Sequence, residues 1–527
     1  MKVLKCQVVN NNKKPLCQNP HMFIIKSIHV LLVMVIKGES FLQSQAQGHK
    51  SRVKSGVPGL DRILDGGFLA GRSYLVSGGP GAGKTTLGLH FLTEEASGQS
   101  LLISLCEARH TIIQDAYGIG IDISGVLSID LSPVAAHEES DVYTVLEPWE
   151  AESPDLKSRI KELFPDQPPK RVFIDALSQL RHLYPDSFQF RKQVMALMEY
   201  LKCSGATVLF SAERGSSAEE DLQYMGDGIL ILEATGYRRS LSIIKYRGSR
   251  FSEGQHSLRL DNEGMKVYER LVPIEHRRDF ISETIASGVA EIDSLMGGGI
   301  ERGTVTIFSG PTGAGKTSLG MQFMSEAAKY GERSVIFSFE ERFETLRYRC
   351  QDIGIQIDDM IKQGTLCVNE VEPLRYSPDE FAWLVRDEVE SKGAKIVMLD
   401  SLDGYRQSVF GQDIVPHVHA LCRYLGNMGI TVLLINEVAS ITGGELRVSE
   451  HGISYLADSV VLLRYIELNG ELRKTIGMLK KRTGDFEKTL REFQITSQGL
   501  NVGEPLMGLR GILRGVPETT VHKLQTS

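Results

Sequence analysis

Apolar residues along this chain come mostly in short continuous runs that alternate with stretches of helical spacing. Two runs, Tyr74-Leu-Val-Ser77 and Val305-Thr-Ile-Phe-Ser309, lead into glycine-rich loops. After Lys316, the residues Leu319, Phe323 and Ala327 recur on one helical face, and Gly331 offers a stop. Further runs are Ser334-Val-Ile-Phe-Ser-Phe339, Lys395-Ile-Val-Met-Leu399 and Ile430-Thr-Val-Leu-Leu-Ile435. Runs apolar at both parities suit parallel strands covered by helices on both faces. Strand and helix patterns that alternate in this way predict an α/β fold with a mostly parallel sheet, and ligands at the carboxyl ends of its strands.

The pattern occurs twice. Ser55-Gly-Val returns as Ser287-Gly-Val, Asp61 as Asp293 and Lys84 as Lys316, each 232 positions on (316 − 84). Asp175 pairs with Asp400, Thr207 with Thr431, and Arg247 with Arg482, at separations of 225, 224 and 235. A period this long means duplicated domains and not a solenoid. The sequence therefore divides into residues 1–49, a first domain at 50–270, a second at 280–500, and a tail at 501–527.

Composition narrows the class. A chain of 527 residues with 42% hydrophobic and 24% charged content is that of an ordinary globular protein with several cores. The net charge of −7 argues against a protein that coats nucleic acid. Seven scattered cysteines without a C-x-x-C pair read as reduced thiols, as in the cytoplasm. The apolar run Met22–Ile36 is interrupted by Lys26, Ser27 and His29, too short for a membrane span and without a clear cleavage site after it. Residues 1–49 are expected to be a poorly ordered extension or an over-called start, the alternative being an interfacial anchor.

The chemistry lies at the ends of the strands. Gly78-Gly79-Pro80-Gly81-Ala82-Gly83-Lys84-Thr85-Thr86 and Gly310-Pro311-Thr312-Gly313-Ala314-Gly315-Lys316-Thr317-Ser318 both fit G-x-x-x-x-G-K-[ST]. Glycines let backbone N–H groups close around phosphate oxygens at the positive end of a helix. Lys84 and Lys316 are placed to reach the β- and γ-phosphates of a nucleoside triphosphate, and Thr85 and Thr317 to offer a hydroxyl to Mg²⁺. Arg171-Val-Phe-Ile-Asp175 and Ile396-Val-Met-Leu-Asp400 end apolar runs in an aspartate, the metal-site position. Ser338-Phe-Glu340-Glu341 supplies carboxylates to orient or deprotonate an attacking water, and Ser104-Leu-Cys106-Glu107 occupies the corresponding place. Lys245-Tyr-Arg247 and Lys480-Lys-Arg482 put two cations on one face of an extended strand, an arrangement that suits a reach to a neighbouring subunit's γ-phosphate.

Taken together these residues resemble the KaiC family of RecA-like P-loop ATPases, from about residue 50 to 500 in one order. The marks are Ser-Gly-Val with Asp61 and Asp293, the two phosphate loops, Ser-Phe-Glu-Glu, the strand-end aspartates and K-x-R. The resemblance implies two tandem RecA-like domains and a cytoplasmic double-ring hexamer with Mg-ATP at its subunit interfaces. It also implies slow hydrolysis and, in the second ring, serine/threonine autokinase activity.

Two departures qualify it. Cys106 stands where the first glutamate is expected, so the first domain is expected to bind ATP mainly to hold the hexamer together. In His451-Gly-Ile-Ser454-Tyr455-Leu-Ala-Asp458 the serine of the family's adjacent Ser-Thr pair remains as Ser454, and the threonine is Tyr455. Ser454 is the phosphorylation candidate. The tail, with Leu509-Arg-Gly-Ile-Leu-Arg-Gly-Val-Pro, suits docking on a regulatory partner or on the ring. Two other readings remain: a RecA-like DNA-dependent ATPase or recombinase, and an ATP-gated scaffold with little turnover. The first needs basic, aromatic-studded channel loops, and Arg238-Arg239 and Lys480-Lys481-Arg482 are short for that.

Overall fold

The computed structural model describes residues 51–95, 98–132, 153–184, 186–236, 238–409, 414–438, 455–468, 470–507, 509–510 and 518–519. The first sheet comprises β1 (Ser73–Gly78), β2 (Ser100–Ser104), β3 (Leu127–Asp130), β4 (Arg171–Asp175), β5 (Thr207–Glu213), β6 (Gly228–Thr235), β7 (Arg238–Tyr246), β8 (Gln255–Asp261) and β9 (Gly264–Tyr268). The second comprises β10 (Val305–Gly310), β11 (Ser334–Ser338), β12 (Leu366–Glu370), β13 (Ile396–Asp400), β14 (Thr431–Glu437), β15 (Ser459–Leu468), β16 (Glu471–Lys481), β17 (Arg491–Thr496) and β18 (Gly499–Pro505). Spatial orders are β3-β2-β4-β5-β1-β6-β7-β8-β9 and β12-β11-β13-β14-β10-β15-β16-β17-β18, the same arrangement twice. In each, six strands run parallel and the last three fold back as antiparallel hairpins.

The expected two-faced burial is visible in the second domain. Phe308, Ile336, Met398 and Leu433 pack on one side of the sheet, while Ile307, Phe337, Leu399 and Leu434 pack on the other. The helices that matter to the site are α1 (Lys84–Thr93), α2 (Arg109–Gly118), α3 (Lys316–Lys329), α4 (Phe343–Asp352) and α5 (Pro378–Glu390). On α3, Leu319, Phe323 and Ala327 are all buried, and Gly331 follows the helix at φ +74°.

One small residue in each domain sets how closely the helix after the loop lies on the sheet. A Cβ at Gly88 would meet the Phe173 ring at 2.0 Å, and one at Gly320 would meet the Met398 sulfur at 2.4 Å. Phe173 and Met398 each lie on the strand that carries the terminal aspartate, so this approach fixes the spacing between helix and carboxylate. The recurring Ser-Gly-Val ties down the turn before each loop strand. Ser55 N–H donates to Asp61 (2.8 Å) and Ser287 N–H to Asp293 (2.6 Å).

The two domains are joined by polar contacts on alternate residues of β8. Ser257 donates to Asp379 from N–H (3.1 Å) and hydroxyl (2.8 Å), and Arg259 pairs with Glu380 at 2.6 Å. Both acids lie in the first turn of α5, capped by Ser377. One residue before Ser257, His256 is buried on the opposite face of β8, its two ring nitrogens bonded to Ser252 and Arg270 backbone. Leu271, at the end of the first domain, enters the second domain's core.

Candidate nucleotide site

Both glycine-rich loops leave the carboxyl end of a central strand and turn into a helix. Gly83 (φ +100°) and Gly315 (φ +104°) take the left-handed backbone just before α1 and α3. Lys84 Nζ donates to the carbonyls of Gly78 and Gly79 (both 2.9 Å); Lys316 Nζ donates to those of Gly310 (2.9 Å) and Pro311 (2.8 Å). Each ammonium is thereby held over its loop. The second loop lies deeper, since Lys316, Thr317 and Ser318 are buried whereas Lys84, Thr85 and Thr86 are half-exposed. Burial pushes the Lys316 ammonium pKa down, and the nearby Glu437, Asp400 and Glu340 carboxylates oppose that shift.

The strand-end aspartates meet the loop hydroxyls. Thr85 donates to Asp175 at 2.6 Å and Thr317 to Asp400 at 2.7 Å. A hydroxyl and a carboxylate within one hydrogen bond form an oxygen-donor pair that fits Mg²⁺, an ion that keeps several waters and takes its other ligands from phosphate. Among the described residues, no cluster of three or more His, Cys, Asp or Glu suited to a metal occurs. Both aspartates precede a cis peptide bond, to Ala176 and Ser401. At this half-buried strand end desolvation raises the Asp400 pKa against the opposing pull of Thr317, Arg349 and Lys316.

Beside each aspartate runs the carboxylate-bearing turn. Leu105 N–H donates to the Asp175 carbonyl (2.7 Å) and Phe339 N–H to that of Asp400 (2.9 Å). The Ser104 hydroxyl closes on the Glu107 carbonyl, and that of Ser338 on the Glu341 carbonyl (2.7 Å). Loop, hydroxyl, aspartate and glutamate thus recur in both domains with the same connections. The family model of the KaiC ATPase matches the chain twice, over residues 53–272 and 285–507.

The chain belongs to the KaiC ATPase family. Similar proteins include the circadian clock protein KaiC3 of Synechocystis sp., 28% identical over 488 residues, 89% of this chain and 95% of the relative. The circadian clock oscillator proteins KaiC of Synechococcus elongatus and Rippkaea orientalis are 26% and 25% identical, spanning 89% and 88% of this chain and 92% and 91% of theirs.

Within this KaiC-family chain the two sites differ in a way the motifs did not show. Glu341 is bound by Arg349 of α4 at 2.6 Å. Residue 115 of α2 holds the equivalent place, since 349 − 115 and 341 − 107 both equal 234, and it is Asp115. Desolvation raises the Glu341 carboxyl pKa, the Arg349 guanidinium opposes it, and Asp400 adds to it. At Glu107, desolvation, Asp175 and Asp115 all push upward. Glu340 is exposed and accepts from the Ser401 hydroxyl at 3.1 Å, while Cys106 is an exposed thiol.

Sequence reasoning also missed Glu437 and Glu213. Each ends the strand beside the loop strand, in register with Gly310 and Gly78. Glu437 accepts from the Thr312 hydroxyl. The signal available in sequence was the constant separation of 224 that pairs them.

The K-x-R pairs are elsewhere. Gly78 shares a cross-sheet row with Leu232 and Leu241, but Tyr74, at the other end of β1, shares one with Gly228 and Tyr246. Lys245 and Arg247 therefore lie at the end of the sheet opposite their own loop. Lys480 faces Val460 near the start of β15, so Lys480 and Arg482 are placed alike. In both copies a β-bulge precedes the motif, leaving Ile244 and Leu479 exposed. Lys480 Nζ donates to the Ala457 carbonyl (2.6 Å), and Arg482 bonds Asp458 (3.0 Å) and the Tyr455 carbonyl (2.9 Å). Burial lowers the pKa of Lys480, and also that of Lys245, with Arg482 and Arg247 adding in each case. Ser454 lies outside the described residues, next to the half-exposed Tyr455. No helix among the described residues is long and apolar enough to cross a membrane.

Proposed function

We propose that this KaiC-family chain binds and hydrolyses Mg-ATP as a head-to-tail homo-oligomer, a hexamer, and serves as a signalling or timing ATPase of the cytoplasm. The observation that carries the reading is the position of Lys245, Arg247, Lys480 and Arg482. Each pair lies across the sheet from its own loop, so a phosphate that it contacts is one held by another copy. Repetition of one such head-to-tail interface gives a ring where its rotation closes, which is the hexamer of this reading. In this reading Gly78–Thr86 and Gly310–Ser318 cradle the phosphates, and Thr85 with Asp175 and Thr317 with Asp400 hold Mg²⁺. The ion supplies charge neutralisation at the β- and γ-phosphate oxygens. Glu341 accepts the proton of the attacking water, Glu340 assists from the rim, and Glu107 is the weaker counterpart in the first domain.

Arg482 is tied to the carbonyl of Tyr455, the residue that follows Ser454 in the sequence. That association supports Ser454 as the acceptor in autophosphorylation. A DNA-dependent motor finds less support: Lys481 is buried in a pair with Glu301 (3.1 Å), which removes it from any basic channel. The test is to size the protein with and without Mg-ATP while following phosphate release and mapping phosphopeptides. A nucleotide-dependent assembly with steady turnover is expected, together with phosphate within residues 445–460. A monomer in all conditions overturns the trans arrangement, absent turnover selects the scaffold, and an unmodified peptide removes the kinase.

Arg349 gives this reading a pH signature. A base must be ionised, so turnover rises with pH through the Glu341 pKa. Arg349 holds that pKa below the value burial alone would give. Arg349→Ala is therefore expected to move the acid limb of the turnover–pH profile to higher pH, and Arg349→Lys to return it part of the way. A limb that stays in place while the rate falls at every pH would assign Arg349 a purely structural part.

A further inference from the structure

A cavity of about 780 Å³ lies between the two domains, walled by β7 and β8 of the first and by the start of α5 of the second. That size is in the range of small-molecule sites. Five arginines line it: Arg238, Arg239, Arg259, Arg270 and Arg375. Against them stand two carboxylates, Asp379 and Glu380, both buried and both already engaged, by Ser257 and by Arg259. Arg239 Nε donates to the Gly81 carbonyl (3.2 Å), and Arg375 pairs with Glu372 (3.2 Å). Among the described residues, neither Arg238 nor Arg270 has a carboxylate at ion-pair distance. The charge of the wall is thus in excess of what the protein itself neutralises, and it is carried by guanidinium groups.

We infer that this cleft binds a small anion bearing a chain of two or more phosphates, distinct from the nucleotides of the two loops. Planar guanidinium forks match phosphate oxygens two at a time, and several converging on one concave space select clustered negative charge over a single carboxylate. Exposed Leu374, in a left-handed backbone at φ +63°, gives the mouth an apolar surface beside the cations. No residue of either phosphate loop lines the cavity. Arg239 nevertheless belongs to both places, through Gly81, so an anion in the cleft and a nucleotide in the first loop share a contact. Coupling between them is reciprocal by linkage.

The experiment uses the full chain with both loops saturated by Mg²⁺ and the non-hydrolysable analogue AMP-PNP. Inorganic tripolyphosphate is then titrated by calorimetry with free Mg²⁺ buffered. One further site per chain is expected, weakened at least tenfold in Arg238→Ala and in Arg270→Ala. Both variants should keep wild-type AMP-PNP loading and melting temperature, which separates a lost ligand from a lost fold. Binding that vanishes as AMP-PNP saturates the loops places the anion in the loops and overturns the inference. So does equal affinity in the Arg238→Ala/Arg270→Ala double variant, or the absence of any heat beyond dilution.

Discussion

Lys316→Ala is expected to lower ATP turnover by roughly 10²–10³-fold, the usual cost of removing one preorganised charge from a transition state. Lys316 is the ammonium of the deeper loop, fixed on the Gly310 and Pro311 carbonyls and surrounded by Glu437, Asp400 and Glu340. Without it, those acids face the γ-phosphate with one cation fewer to offset them. Lys84→Ala is expected to keep most of the turnover and to weaken assembly instead. Its domain has Cys106 in place of the first glutamate, and Glu107 lies beside Asp115 without an arginine partner in the place that Arg349 fills in the second domain. Phosphate release and particle size, measured on both variants, check the pair. Loss of most turnover with Lys84 alone would reverse the assignment of the two sites.

Arg482→Ala is expected to reduce turnover by about 10²-fold or more, with nucleotide binding at the loop of its own chain retained. The more informative result comes from mixing. In a head-to-tail ring, each second-domain site joins the loop of one copy to the Arg482 of the next. Equal mixing of Lys316→Ala and Arg482→Ala chains then leaves about a quarter of such junctions with both parts intact. Two variants nearly inactive alone should therefore recover about a quarter of wild-type turnover together. If the mixture is no more active than either component, Arg482 acts within its own chain or not at all.

How much of this was written in the sequence depends on how local each feature is. The loops, their lysines and the threonines after them are contiguous, and the strands before them are apolar at both parities because both faces are covered. Asp175 and Asp400 end such strands, and their meeting with Thr85 and Thr317 follows from the parallel order of the sheet. Arg349 was hidden because it sits eight residues past Glu341 on a different element, where any exposed helical arginine reads as solvated charge. Only superposition of the repeats exposes the reversal to Asp115. Glu213 and Glu437 needed the neighbour relation of two strands more than a hundred residues apart in sequence. The K-x-R spacing marked two cations on one strand, but which end of the sheet they occupy follows from hairpin direction and from the bulges at Ile244 and Leu479. Periodicity does not encode either.

The separation of Lys480 and Arg482 from their own loop has a consequence for how the protein responds to its surroundings. If half of every site is borrowed from a neighbour, a lone chain is not a slow enzyme but an unfinished one. Abundance then becomes an input: below the concentration at which rings close, added ATP is bound without being spent. Above it, each new ring switches on as a block.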